Sequence, residues 1–285
     1  DHASVDTGEQ VFNAEGQPDT EHLPTTINRL IRRILFSFAR SAYVGYTATP
    51  FANIFIHERG ETLREGPDLF PSAFIINLAA PSNYIGPARI FGKWSDEGSS
   101  SPIDLVRTID DHSTGYGSGG WMPQRHKNGH LPLYNGEEVP PPSLVEAINA
   151  FLLACAVRQV REQESDHASM LVHVTRFTSV QQHVHHQVAE QIRHIRQRLT
   201  RSIGHEQILA DLRSLWQKDF LPTSRGIGMH HPDLVPGDMP DWEDVSCRLP
   251  GVVSDIQVRM INGTARDALD YAEHEGVGLK VIAIG

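Results

Sequence analysis

The chain has 285 residues, 39% hydrophobic and 21% charged, a globular composition with room for one large domain or two of ordinary size. Its net charge of -10 excludes a surface that attracts polyanions everywhere, so any nucleic-acid contact must come from a local patch. No run of about 18 apolar residues marks a membrane span. Two cysteines, Cys155 and Cys247, exclude a disulfide framework and a thiolate metal site, and fit a reducing cytoplasm.

The first residue is Asp1, and no basic stretch followed by an apolar one marks a leader, so the start reads as a fragment boundary. Residues 1–22 are polar and read as a loop. Beyond Pro24, the residues Ile27, Leu30, Ile31, Ile34, Leu35 and Phe38 recur at steps of three and four. That spacing predicts a helix burying one apolar stripe, with Arg29, Arg32, Arg33 and Arg40 on a solvated face. Residues 42–46 (AYVGY) form a short apolar run closed by Pro50, and 74–78 (FIINL) form another. Both are expected as buried strands. Residues 92–142, rich in Gly, Ser and Pro, read as a loop-rich insertion or linker.

Regular patterning returns at Leu144. Leu144, Ile148, Phe151, Leu152 and Cys155 predict a helix, and 169–174 (SMLVHV) a buried strand. Val180, Val184, Val188, Ile192, Ile195 and Leu199 predict a helix over 177–200. Ile208, Leu209, Leu212, Leu215 and Trp216 suggest another. Residues 221–251, with five prolines, read as a loop. A strand over 256–261, a helix over 264–274 and a strand over 279–284 complete the order. Alternating strands and helices imply an α/β fold with parallel strands.

Ligands in such folds bind beyond the carboxyl ends of the strands. Thr47 and Thr49 stand there, two hydroxyls two residues apart, a spacing that an ordinary strand end also shows. As a set, GYTATPFAN (Gly45 to Asn53) resembles motif III of superfamily 2 helicases. Asp1-His2-Ala3-Ser4 resembles the tail of a DEAD-type motif II. PTTINRLIRRIL, AYVGYTATPFANIFI, SNYIGPARIFG, PPSLVEAINAFLLACAVR and SMLVHVTRFTSVQQHV occur in this order, and across nearly the whole chain they resemble the endonuclease Z-one domain family.

The resemblance implies RecA-like lobes. Residues 1–91 would be the C-terminal part of a first lobe, 92–142 an insertion, and 143–285 the N-terminal part of a second lobe. It further implies ATP and Mg²⁺ as cofactors, DNA as partner, and association with bacterial restriction or phage-defence proteins. Asp1 would support the metal shell, Asp1 and His2 would lie at the cofactor, and Thr47 and Thr49 would couple the nucleotide to the strand. No G-x-x-x-x-G-K-[ST] loop occurs in these residues, so the 285 residues alone are not expected to hydrolyse ATP.

Thr175 and Arg176 follow the strand 169–174, where related motors approach the nucleic-acid backbone. Arg176, Arg193, Arg196, Arg198 and Arg201 make 176–202 basic, opposed only by Glu190. Thr175, Arg176, Arg193 and Arg196 are therefore candidate phosphate contacts, although a solvated helix face has the same appearance. Two other readings stay open. One is a metal-dependent nuclease or DNA-binding module using Asp110, Asp111 and nearby histidines. The other is a degenerate ATPase fold serving as a platform in a defence complex.

Overall fold

The computed structural model describes residues 5–6, 16–17, 23–48, 51–54, 56, 60–79, 81, 84–92, 102–114, 119–231, 234, 238–262 and 271–285. They fall into two compact units, residues 1–84 and 85–285.

In the first unit, α1 spans Thr26–Phe36 and α2 spans Phe51–Ile54, and a three-residue turn joins β1 (Glu61–Thr62) to β2 (Gly66–Pro67) in a short hairpin. The expected orientation of α1 is inverted. Asn28 and Arg32 are the buried residues, while Ile27, Leu30, Ile34 and the following Phe38 are exposed. The hairpin supplies the reason. The Arg32 guanidinium donates to Thr62 Oγ1 at 3.1 Å and to the Gly66 carbonyl, and Asn28 Nδ2 donates to Asp68 Oδ1 at 2.8 Å. A guanidinium with fixed acceptors can be buried where an unpaired one cannot. Arg33 and Arg40 are exposed, as expected.

The two expected strands of this unit form no strand and belong to no sheet. Val44, Tyr46, Ile75 and Leu78 are all exposed. A buried parallel strand needs a neighbour for each ladder and cover on each face. Among the described residues this unit offers only the short hairpin.

The second unit holds a three-stranded parallel sheet made of β3 (Ala168–Val172), β4 (Gln257–Met260) and β5 (Lys280–Ile284). Its order is β3-β5-β4, so the last strand in sequence lies in the middle. Ala168 pairs with Lys280, and Gln257 with Val281. All five residues of β5 are buried. These strands match the three strands expected of this half, and the mixed helix-and-parallel-sheet architecture is α/β.

A short helix, α3 (Pro87–Ile90), opens this unit, and its main helices are α4 (Pro142–Val160), α5 (Thr178–Arg201), α6 (Glu206–Leu215), α7 (Leu221–His230) and α8 (Trp242–Asp255). The stripe Val180, Val184, Val188, Ile192, Ile195 and Leu199 of α5 is wholly buried, as its spacing predicts. It meets a core built from Ile148, Leu152 and Leu153 of α4 and Val245, Leu249 and Val252 of α8. Each such side chain contributes about 1.5–3 kcal/mol by leaving water. By length and composition α4 passes for a membrane-crossing helix. Here it packs against α6 and α8.

The expected loop over 221–251 is corrected, since α7 and α8 occupy most of it. A π-helical turn, Trp216–Phe220, joins α6 to α7. It stacks the Trp216 ring on Phe220 at 5.6 Å between centroids. Pro222 stands in the first turn of α7, where proline is tolerated. Pro250 lies inside α8, between the buried Leu249 and Val252. Burial of that face offsets a local cost of about 3 kcal/mol. Of the expected helix over 264–274, residues 264–270 lie outside the described residues, and Ala272–His274 form a single 3-10 turn. The described part of 92–142 has little regular structure, as expected. Its residues Trp121 and Met122 are nevertheless part of the core.

Candidate nucleic-acid interface

β3 runs into the turn 173–177, and α5 begins at Thr178. This is the carboxyl edge of the parallel sheet, where ligands meet α/β folds. Thr175 is buried there, and its hydroxyl lies 2.7 Å from His126 Nε2. His126 Nδ1 lies 2.7 Å from the Pro123 carbonyl, which only accepts. Nδ1 therefore carries a proton, and in the neutral ring Nε2 accepts from the Thr175 hydroxyl. The same hydroxyl oxygen accepts the Phe177 N–H at 3.2 Å.

Polar side chains tie the three strand ends together. Gln181, buried in the first turn of α5, donates to the Thr175 carbonyl at 3.0 Å and accepts from Asn262 Nδ2 at 2.8 Å. His173 Nδ1 lies 2.7 Å from the Gly285 carbonyl, just past β5. Arg176 is exposed at this edge, its guanidinium carbon 5.1 Å from the centre of the Phe177 ring. That cation–π contact orients the charge without neutralising it.

A loop, residues 121–134, is clamped over the same place. Trp121 Nε1 donates to Gln187 Oε1 at 2.7 Å, and Gln187 Nε2 donates to the Pro132 carbonyl at 2.8 Å. Ser179 Oγ donates to Asn128 Oδ1 at 2.6 Å and accepts from the Gly129 amide at 3.3 Å. Reading the sequence alone missed this clamp. The available signal was the pair Gln181 and Gln187, polar residues that flank an otherwise apolar stripe.

The predicted site residues are only partly brought together. Thr175 and Arg176 share the carboxyl edge, but the Thr175 hydroxyl is engaged inside the protein, which leaves Arg176 as the group able to meet a phosphate. Arg193 and Arg196 lie along α5, roughly 25–30 Å from Arg176 at the helical rise. Arg193 is exposed and pairs with Glu190. Arg196 is not available to a phosphate, because its Nε and Nη2 donate to the carbonyls of Val253 and Ile256 at 2.9 and 2.7 Å. Thr47 is half-buried in the first unit. Asp1, His2 and Thr49 lie outside the described residues.

The acidic pair has a different use. Asp110 is exposed, whereas Asp111 accepts the Ser143 amide at 2.8 Å and the Ser143 hydroxyl at 2.6 Å. Asp111 thereby satisfies the open first turn of α4. Among the described residues no cluster of His, Cys, Asp and Glu is arranged to hold a metal ion. Burial pushes the Cys155 thiol up to about 11, despite the nearby Lys280 and Arg158, so this cysteine is an inert core group.

One ion pair pins the segment around Arg107 to the π turn and the start of α7. Arg107 donates to Asp219 and, at 3.0 Å, to Thr223 Oγ1. Partial burial pushes the Asp219 carboxyl up, but hydrogen bonds from Arg107 and Thr223 and the charge of Arg107 outweigh it and hold it below its ordinary value. A depressed carboxylate stabilises the fold above the pKa of the unfolded chain, about 3.9. That stability is lost as pH falls through the lower folded value. Asp219→Asn is therefore expected to cost at most about 1 kcal/mol at pH 7, because the pair is partly solvated. The difference should shrink towards pH 3 when urea midpoints of the two proteins are compared. A difference that grows on acidification would overturn this account.

A search of curated proteins finds no match, and a search of solved structures finds none. The family model of the Z1 domain matches residues 143–285. That match covers α4, the whole parallel sheet and its carboxyl edge, half of the sequence, and the chain belongs to the Z1 domain family.

Proposed function

We propose that the chain is part of a superfamily 2 helicase-like ATPase acting on DNA in a bacterial restriction or phage-defence system. The observation that carries this reading is Arg176, exposed and directed by Phe177, at the carboxyl edge of a parallel sheet immediately after β3. In superfamily 2 motors the corresponding edge of the second lobe approaches the nucleic-acid backbone. The motif-III-like segment Gly45 to Asn53 supports the ATPase half of the reading. In such a motor, two RecA-like lobes close on ATP and Mg²⁺ and move on DNA as ATP turns over. The nuclease alternative gains nothing from the geometry, since both oxygens of Asp111 are occupied by Ser143.

Within this reading, Thr47 and Thr49 couple hydrolysis to movement. In the full-length protein, Thr47→Ala with Thr49→Ala should leave ATP turnover within a few-fold and reduce DNA translocation or unwinding by at least about tenfold, equivalent to about 1.4 kcal/mol. Translocation at the wild-type rate per ATP consumed would sink the coupling role.

A further inference from the structure

The clamped loop and the first turns of α5 share a chemical property. Residues 119–136 contain Arg125 and Lys127 but no Asp or Glu, and residues 168–189 contain Arg176 and again no Asp or Glu. In a chain with 35 acidic residues and a net charge of -10, these two segments form a basic island, and the hydrogen bonds described above hold them together. Arg125 and Lys127 are both exposed and flank His126, whose ring is bonded to Thr175, the neighbour of Arg176. Among the described residues none of these three cations has an acidic partner.

We propose that Arg125 and Lys127 bind the phosphodiester backbone of the same nucleic-acid strand as Arg176, and that the 121–134 loop is a strand-binding element set in place by the His126–Thr175 contact. This rests on the reading of the carboxyl edge as a nucleic-acid surface. The exposed residues of the loop favour a phosphate backbone over a protein partner. They are Gln124, Arg125, Lys127, Asn128 and Gly129, with no exposed large apolar side chain. Protein interfaces are instead anchored by aromatic and apolar residues. Trp121 is buried and offers no face for base stacking, so the contact is to the backbone and independent of sequence. Cations on a loop already held by hydrogen bonds lose little freedom on binding.

The test uses the full-length protein and a fluorescently labelled single-stranded DNA of about 20 nucleotides, long enough for one binding site. Affinity is measured by anisotropy across a range of NaCl concentrations. Each phosphate neutralised on a single strand contributes about 0.7 to the slope of log affinity against log salt. The double variant Arg125→Ala/Lys127→Ala is expected to lower that slope by about 1.4, and Arg176→Ala by about 0.7. Both side chains of the double variant are exposed, so the fold is retained. If Arg176→Ala weakens binding and the double variant does not, the loop proposal is overturned while the reading of the edge survives. If the unmodified protein shows no salt-dependent binding, both are overturned.

Discussion

Trp121→Ala is expected to destabilise the protein by about 3–5 kcal/mol, the range for deleting a large aromatic from a core. The residue is 3% exposed and sits in the same hydrophobic cluster as α4, α5 and α8. A second variant separates packing from polarity. Trp121→Phe retains most of the ring but removes the indole N–H, so the buried Gln187 Oε1 loses its donor. An unsatisfied buried acceptor costs about 1–3 kcal/mol. Urea unfolding of the two variants and of Trp121→Phe/Gln187→Leu measures the coupling. If Trp121→Phe matched the wild type, the indole hydrogen bond would not be what holds the loop. The aromatic is then expected to act through bulk alone.

The next largest effect is expected at Arg196. α8 ends at Asp255, and the last carbonyls of a helix have no partner within it. Arg196 reaches across from α5 and donates to two carbonyls there, those of Val253 and Ile256. The charge also opposes the negative end of the helix dipole. Hydrogen bonds to a charged group are worth about 1.5–3 kcal/mol, so Arg196→Met should cost about 2–3 kcal/mol in all. Arg196→Lys should recover only part of this, because one ammonium lacks the planar fork that serves two acceptors. At temperatures where the variants stay folded, DNA affinity should remain within about twofold of wild type. Full stability combined with lost DNA affinity would show that the guanidinium serves a phosphate instead.

What the sequence made legible follows the range of the interactions involved. The α5 stripe could be read because Val180, Val184 and Val188 face one core and their spacing alone says so. The strands 168–172 and 280–284 could be read as short apolar runs, and 257–260 by the alternation of Ile256, Val258 and Met260 with polar residues. The inversion of α1 could not, because Arg32 finds its acceptors at Thr62 and Gly66, more than a helix length away in sequence. The prolines of 221–251 hid α7 and α8: Pro222 stands in the first turn of α7, where proline is tolerated, and at Pro250 local propensity loses to burial of Leu249 and Val252 in α8. At the candidate site, Arg176 could be read as a base-rich stretch following a strand. The bond that sets it there joins His126 to Thr175 across 49 residues, a pairing that no local pattern reveals.

The position of β5 has a bearing on how the fold is reached. β3 and β4 never touch, and each pairs only with β5, the last of the three to be synthesised. Partners in the β3–β5 ladder are 112 residues apart, as with Ala168 and Lys280. Vectorial synthesis therefore produces two strands that stay without a ladder until the third arrives. The closure entropy of that long loop must be met before β3 joins the sheet, whereas the β4–β5 ladder closes only a short one, as with Gln257 and Val281. High contact order of this kind slows folding. The helical layer meets the same cost, since α4 (Pro142–Val160) packs against α8 (Trp242–Asp255) across a comparable span of sequence.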